Sequence, residues 1–356
     1  MKKITWILFT CYFCLFAGFG LIFYFKYLNK FFKTGAEPQP VETAQNKELI
    51  YYSQDNNLYR FNPALNLDPL DPNRFERFQS TGEVSNIDIS KNNSLITYDS
   101  LLEGVREIWE VKTENNASSK IASSSNSKLN IYKDFSCPKY SPDGTQLAFI
   151  ANNGTSDKII IYNLATLEYK PLSDNFVAQI SDYVFSPDSQ SIIFCTSNAL
   201  TNTCYLVNIK TGQDSKIFQS DILQLAITEK GELIYLKSET DTANIYRLSA
   251  NNEPTRITNL KAPKKISKIS TTSNGNEIAY EVNEDNISNI YFINSDGSNN
   301  TQLTTDGNSL MPQMRSFGGK IAYFRAGSGI YQINTNKSGE QKIANIETII
   351  NLLIWR

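Results

Sequence analysis

A stretch that occurs twice constrains the fold of this chain more than any other feature. YSPDGTQLAFI, residues 140–150, returns forty-five residues later as FSPDSQSIIFC, residues 185–195. Ser-Pro-Asp is typical of a turn, because proline presets φ and aspartate bonds to nearby backbone, and the apolar run after it predicts a strand. The residues assigned to these turns are Ser141, Pro142, Asp143, Gly144, Ser186, Pro187 and Asp188.

Looser copies of this unit extend along the chain. Leu or Ile, any residue, and then Tyr or Phe recurs in seven copies, most of them preceded by turn residues, with the aromatic at positions 51, 98, 149, 194, 235, 280 and 323. Each period has room for four short strands, which is the content of a β-propeller blade. Because a single blade cannot bury both faces, blades stack in a ring. The sequence therefore predicts an all-β, seven-bladed propeller of four-stranded antiparallel blades over residues 47–356.

The two ends of the predicted propeller complement each other. The first copy, residues 49–51, has no strand before it, and a spare apolar segment, residues 348–355, follows the last copy. We expect this C-terminal segment to supply the innermost strand of the first blade and to close the ring. The alternative is a docked tail on a ring with another number of blades.

The N-terminus predicts a membrane anchor. Residues 4–25 are 22 uncharged, mostly apolar residues, which as a helix would span about 33 Å, enough for a bilayer core of about 30 Å. We predict one uncleaved transmembrane helix within a lysine-flanked anchor, residues 1–33, followed by a polar linker, residues 34–46. A cleaved signal peptide, or a lipoprotein site at Cys11 or Cys14, fits less well because of the length of the apolar run.

Lysines and cysteines give opposing indications about the side of the membrane. Three lysines follow the apolar run and two precede it, which favours a cytoplasmic propeller, although the amino terminus evens the count. Cys195 and Cys204 fall on neighbouring strands of the fourth blade, where they could form a disulfide, and disulfides persist in oxidising compartments. We therefore expect a periplasmic or cell-surface propeller. Two buried free cysteines are the alternative, and Cys137 is left unpaired.

Composition excludes several classes of function. The chain has no histidine, which excludes Ser-His-Asp and Cys-His nucleophilic sites and metal sites that use imidazole. The net charge is −2, and the five lysines of residues 1–33 leave −7 for residues 34–356. Nucleic-acid binding requires clustered positive charge, so we expect no nucleic-acid partner. We also expect no catalytic residues, no cofactor and no metal.

At its repeated turns the chain resembles the TolB-type, WD-like β-propeller repeat family. Residues 141–144 and 147–149 match the Ser-Pro-Asp-Gly and Leu-Ala-Phe pattern, and residues 186–189 and 192–194 nearly do. The resemblance covers residues 47–356 and implies a propeller fold and a place at the cell envelope. TolB itself has an α/β domain before a six-bladed propeller, so we expect a relative other than TolB. Prolyl oligopeptidase-type peptidases have similar repeats but depend on a histidine.

Three functions remain open from the sequence. The leading interpretation is a membrane-anchored, non-catalytic propeller that binds a protein or another ligand at the envelope. Residues 62–78 and 113–128 are candidate contact loops, unless they are only solvated insertions. One alternative is a glycan-active enzyme with two carboxylates around the central opening, although Asp143 and Asp188 are typical of turns. The other is a sensor or assembly subunit of a membrane complex.

Overall fold

The computed structural model describes residues 48–64, 68–69, 71–172, 178–197, 202–248, 253–346 and 352–355. These residues form seven four-stranded antiparallel sheets and a short 3₁₀ helix, Pro72–Arg74. The predicted anchor and linker, residues 1–33 and 34–46, lie outside the described residues. Within the described ranges, no helix has the length and apolar character needed to cross a bilayer.

The sheets are the blades of a propeller and follow the chain in order. Blade 1 contains β1 (Ile50–Gln54), β2 (Asn57–Phe61), β3 (Glu76–Gln79) and the last strand, β28 (Leu352–Trp355). Blade 2 contains β4 (Glu83–Ile89), β5 (Leu95–Leu102), β6 (Val105–Lys112) and β7 (Ser118–Ala122). Blade 3 contains β8 (Asp134–Tyr140), β9 (Gln146–Asn152), β10 (Asp157–Asn163) and β11 (Tyr169–Pro171). Blade 4 contains β12 (Gln179–Phe185), β13 (Ser191–Ser197), β14 (Thr203–Asn208) and β15 (Asp214–Gln219); blade 5 contains β16 (Ile222–Ile227), β17 (Leu233–Ser238), β18 (Ala243–Leu248) and β19 (Pro254–Arg256). Blade 6 contains β20 (Lys265–Thr271), β21 (Glu277–Glu284), β22 (Ile287–Asn294) and β23 (Thr301–Gln302); blade 7 contains β24 (Ser309–Met314), β25 (Lys320–Arg325), β26 (Gly329–Asn334) and β27 (Gln341–Asn345).

The first blade is built from both ends of the described chain. Strand β28 pairs antiparallel with β1, with Tyr51 opposite Ile354 and Tyr52 opposite Leu353. The blade therefore has the order β28-β1-β2-β3, with the C-terminal strand innermost. This pairing confirms that residues 352–355 close the ring, while residues 347–351 lie outside the described ranges.

The hydrophobic core is divided among the seven interfaces between blades. Each of seven buried clusters draws its residues from two neighbouring blades, including one between blades 7 and 1. All seven repeat aromatics are at most 3% exposed. Burying a side chain of this size stabilises a fold by about 2 kcal/mol, so the repeated aromatic is what makes each blade depend on its neighbour.

The strand order places the innermost strand of each blade around the axis of the ring. In blades 2 to 7 the chain starts at the innermost strand and runs outward. The innermost strands of successive blades pack side by side around a central channel. The turns from each innermost strand to the second strand all lie on one face, which we call the mouth face.

Candidate binding site in the central channel

The turn of blade 3 on the mouth face is capped by its own side chains. Asp143 Oδ1 accepts hydrogen bonds from Ser141 Oγ at 2.6 Å and from the backbone N–H of Thr145 at 3.0 Å, and Gly144 has a φ of 74°. Burial alone would raise the pKa of Asp143, but these hydrogen bonds outweigh burial and hold the pKa below its ordinary value. Asp143 is therefore a turn-forming residue.

Three more blades repeat this arrangement of a hydroxyl and an Asp or Asn. In each, the side-chain oxygen of the Asp or Asn two positions after a Ser or Thr accepts a hydrogen bond from the hydroxyl and caps the turn, as such side chains commonly do. The pairs are Ser90 with Asn92, Ser186 with Asp188 and Thr272 with Asn274. Because this geometry is repeated between blades, Ser186 and Asp188 stabilise the turn, as Ser141 and Asp143 do.

The corresponding turn of blade 7 breaks the pattern. Arg315 stands in place of the hydroxyl residue and Phe317 in place of Asp or Asn, yet the turn keeps its backbone bond from Gly318 N–H to the Arg315 carbonyl at 2.8 Å. The phenyl ring of Phe317 is 77% exposed, the largest exposure among the described large hydrophobic residues. Arg315 Nε donates to Glu48 Oε1 at 2.6 Å, across the seam to the first described residue of the ring.

Blade 6 holds the blade 7 turn from outside. Glu277 Oε2 accepts the N–H of Gly319 at 3.0 Å, and Ser273 N–H donates to the Ser316 carbonyl at 3.1 Å. Together these contacts replace the missing internal cap. The backbone that carries Phe317 is therefore fixed by its neighbours.

The turns surround the mouth of a channel of about 1020 Å³, which is at the upper end of the range for ligand sites. The residues at the mouth include Lys91, Pro142, Pro187, Glu229, Ser273 and Phe317. Every innermost strand from β4 to β24 shifts register at a bulge. Bulges re-aim side chains, and here residues at or beside the bulges, such as Leu223 and Lys268, line the channel.

Two buried carboxylates fix three of these bulges, in blades 2, 3 and 7. Asp99, which is fully buried, accepts the N–H of Asn86 at 3.0 Å in its own blade and that of Cys137 at 2.8 Å in blade 3. Glu281 accepts the N–H of Met311 at 2.9 Å in blade 7. A backbone N–H that the bulge removes from the ladder is thereby paired, and the channel wall is held in one arrangement.

Most of the charge in the channel wall is already paired between blades. Asp88 accepts the N–H of Tyr140 at 2.7 Å, and Asp182 accepts the N–H of Leu225 at 2.7 Å. Lys139 Nζ lies 2.7 Å from Asp182 Oδ1. These carboxylates connect neighbouring innermost strands, so their oxygens are occupied by structural hydrogen bonds.

One charge deeper in the wall is different. Lys268 lines the channel half-buried, and within the described chain it has no hydrogen-bond or ion-pair partner. Lys91 and Glu229 also have unpaired side chains among the described residues, but both are exposed at the mouth. Lys268 is therefore the cation that a ligand inside the channel would meet.

The cysteines occupy two different environments. Cys195 and Cys204 lie opposite each other on β13 and β14, fully buried, and are joined by a disulfide with their Cα atoms 4.0 Å apart. Cys137 lies in the channel wall as a free thiol. Burial, and secondarily the charge of Asp99, raise its pKa to about 11. Its thiol therefore stays protonated at neutral pH and is a poor nucleophile.

The two loops predicted as contact regions lie away from the channel. The described part of residues 62–78 packs on blade 1, where the Arg74 guanidinium lies 5.1 Å from the Phe61 ring centroid. Residues 113–128 form the turn before β7, β7 itself and the start of the connection to blade 3, where Asn126 Nδ2 donates to Tyr169 Oη at 3.3 Å. Neither described segment contributes a lining residue to the channel.

Sequence reasoning did not identify Phe317, Arg315 or Lys268. A signal for the first two was present, because RSFGG occupies the position of the repeated Ser-Pro-Asp-Gly turn and departs from it at both capping positions. Lys268 carried no comparable signal, since its orientation depends on the bulge. Across the described ranges, no group of three or more His, Cys, Asp or Glu side chains is arranged to hold a metal ion.

Comparisons with known proteins bear on family and fold. Residues 128–347 match the family described as TolB beta propeller domain. No curated protein matches the chain by sequence. Among solved structures, TolB from Acinetobacter baumannii is 16% identical with a TM-score of 0.51, over 70% of this chain and 62% of that one.

Two similar structures are enzymes. An oligogalacturonate lyase from Vibrio parahaemolyticus is 11% identical with a TM-score of 0.58, over 83% of this chain and 84% of that one. A puromycin-hydrolysing peptidase from Mycobacterium tuberculosis is 9% identical with a TM-score of 0.60, over 84% of this chain and 52% of that one. The chain thus spans about half of that peptidase and less than two thirds of the Acinetobacter TolB. At these identities the likeness concerns the fold.

Proposed function

The chain belongs to the TolB beta propeller domain family, and from that premise we propose that it is a membrane-anchored, non-catalytic binding module at the cell envelope. Its binding site is the mouth of the central channel, and its ligand is a protein partner. The observation that carries this proposal is the exposed Phe317 beside a large channel whose wall is held in one arrangement by hydrogen bonds between blades. Preorganised surfaces with an exposed aromatic are typical of protein recognition.

Three of the four described carboxylates that line the channel are already paired, all but Glu229, and this argues against catalysis. Glycoside hydrolysis needs one carboxyl group that donates a proton and another that attacks or activates water. Asp88 and Asp182 already accept backbone N–H groups, and Glu48 accepts from Arg315. The similarity to oligogalacturonate lyases keeps a glycan-active enzyme as the second candidate. One of those lyases was solved with manganese, whereas this chain offers no histidine and no described cluster of metal-binding side chains.

Two features support an extracytoplasmic, membrane-facing location. The disulfide between Cys195 and Cys204 would persist in an oxidising compartment. Glu48, where the described ring begins, lines the channel. An anchor at residues 4–25 would therefore hold the mouth face toward the bilayer, where a partner in the same membrane can reach it.

The test compares partners recovered with an open and a filled channel. Leu223 lines the channel and is 52% exposed, so Leu223→Trp adds bulk without removing a hydrogen bond. Leu167, a 60% exposed residue in a turn outside the channel, gives the control Leu167→Asn. Tagged full-length chains are crosslinked in intact cells, extracted in mild detergent and analysed by quantitative mass spectrometry.

We expect a protein recovered with the unmodified chain and with Leu167→Asn to be lost with Leu223→Trp. Equal recovery with all three chains would contradict a channel site. Turnover of oligogalacturonate by the purified chain would favour the enzyme. Recovery of a stoichiometric complex that survives Leu223→Trp would favour the assembly subunit. Protease accessibility in intact cells checks the side of the membrane.

A further inference from the structure

Building on the proposed channel site, we propose that Phe317 is its apolar anchor and Lys268 its cation. The partner then presents an extended polypeptide segment in which an apolar side chain precedes or follows a carboxylate. Phe317 receives the apolar group at the mouth, and Lys268 receives the carboxylate inside the channel.

The fold does not need Phe317. Four equivalent turns use Asp or Asn at this position to cap themselves. Blade 7 gives up that cap and exposes a phenyl ring to water instead, while Glu277 of blade 6 supplies the missing backbone partner. A residue that breaks a local rule while its neighbours compensate indicates a functional position. Because the backbone that carries Phe317 is held in place before binding, little backbone entropy is lost when a ligand packs on the ring.

Lys268 carries a charge that no described side chain pairs. The other charges of the inner wall are neutralised or hydrogen-bonded by neighbouring blades, as described for Asp88, Lys139 and Asp182. A half-buried ammonium group without a partner is costly, and a ligand carboxylate that enters the channel would satisfy it. The neighbouring Ser267 and Gln224 line the same part of the wall and add polar groups.

The polarity of the wall favours a polypeptide over an acyl chain. Asn86, Gln224 and Ser267 line the wall; their side chains donate to Asp99, Ile269 and Glu281 respectively and keep further hydrogen-bonding capacity. A lipid tail would desolvate that remaining capacity without pairing it, whereas a peptide brings its own N–H and C=O groups. From Lys268 to the start of the turn at Thr272 the strand rises roughly 13 Å. An extended ligand would cover that length with about four residues.

The probe follows from this spacing. The capped heptapeptide Ac-Gly-Leu-Ser-Ser-Ser-Asp-Gly-NH2 places its two groups four residues apart, and two matched peptides replace its Leu by Ser or its Asp by Asn. Sodium octanoate is the lipid-like arm. Each is titrated against the full chain in lipid nanodiscs by saturation-transfer NMR, with the chain unmodified or carrying Phe317→Asn, Lys268→Gln or Leu167→Asn.

We expect saturable binding of the Leu-Asp peptide to the unmodified chain and to Leu167→Asn. Phe317→Asn should weaken it at least tenfold, and Lys268→Gln at least fivefold. The Asp-to-Asn peptide should bind the unmodified chain and Lys268→Gln equally, because the charge pair is then absent from both. Phe317→Asn should keep the thermal midpoint of the unmodified chain, since asparagine can cap the turn.

The inference is overturned if the peptide shows no saturable binding, if Phe317→Asn binds it as well as the unmodified chain, or if only octanoate binds. Its failure is distinguishable from failure of the proposed function. A native partner that is lost with Leu223→Trp but kept with Phe317→Asn would remove this inference and leave the channel site intact.

Discussion

Blades 4 and 7 share a fold and differ in what holds them. In blade 4, Asp188 of the same blade caps the mouth-face turn, and a disulfide joins the second and third strands. The corresponding turn of blade 7 is held from outside, by Glu277 of blade 6 and by the Arg315–Glu48 contact across the seam. Both turns close with the same backbone hydrogen bond.

The difference distinguishes residues that stabilise the blade from residues that the fold does not need. Where a turn caps itself, its polar side chains are committed to the fold. Where neighbouring blades supply the cap, the side chain at the capping position is not needed for the fold. In blade 7 this side chain is an exposed phenyl ring at the channel mouth. Site residues of a repeat protein are thus best sought where one repeat departs from the others without losing its geometry.

Removing the disulfide of blade 4 should have the largest effect on stability. The disulfide spans nine residues of sequence, and loop-closure entropy predicts that replacing both cysteines by alanine lowers the free energy of unfolding by about 2.5 kcal/mol. Urea denaturation measures the change. A reducing agent should destabilise the unmodified chain and leave the double variant unaffected; an equal response of both would show that the disulfide is not formed in solution.

Removing the cap of blade 4 should have the next largest effect. Asp188→Ala leaves Ser186 Oγ and the Gln190 N–H without their acceptor, and we expect a loss of about 1.5 kcal/mol in unfolding free energy. Asp188→Asn, which still accepts both bonds, is the control. Equal destabilisation by the two variants would mean that the hydrogen bonds do not account for the effect.

The outside support of blade 7 is tested by Glu277→Ala. Loss of the bond to Gly319 should lower the free energy of unfolding by about 1 kcal/mol and also loosen the turn that carries Phe317. Glu277→Gln should retain most of both properties. Hydrogen exchange of the Gly319 amide gives the local readout, and unchanged protection in Glu277→Ala would contradict support from blade 6.

The smallest effect is a pH dependence of the self-capped turn that contains Asp143. Because the pKa of Asp143 is lowered in the fold, its contribution is present above its unfolded value of about 3.9 and is lost as the pH falls through the lower folded value. The stability difference between the unmodified chain and Asp143→Asn should therefore shrink as the pH falls below about 4. A stability difference that grew as the pH fell would contradict a lowered pKa of Asp143 in the folded chain.

The sequence was sufficient for the ring because its determinants are local and repeated. Short-range patterns predict the turn and the aromatic of the second strand. The need to bury a blade on both sides predicts that the strands at residues 49–51 and 352–355 pair with each other. The channel lining was not predictable in the same way. A bulge changes which residues of an innermost strand face inward. Ile266 and Ile269, three residues apart, both lie in the core because the bulge falls between them, whereas a period-two pattern would have placed Lys268 beside Ile266.

The most direct test of the central claim is the stability of Arg315→Ser combined with Phe317→Asn. This double variant gives blade 7 the sequence SSNGG, close to the self-capped TSNGN of blade 6. If the fold does not need Phe317, urea denaturation should give a free energy of unfolding within about 0.5 kcal/mol of the unmodified chain or higher, since the added cap offsets the lost Arg315–Glu48 contact. A decrease of about 2 kcal/mol or more would show that the two residues hold the ring together, and would contradict the account.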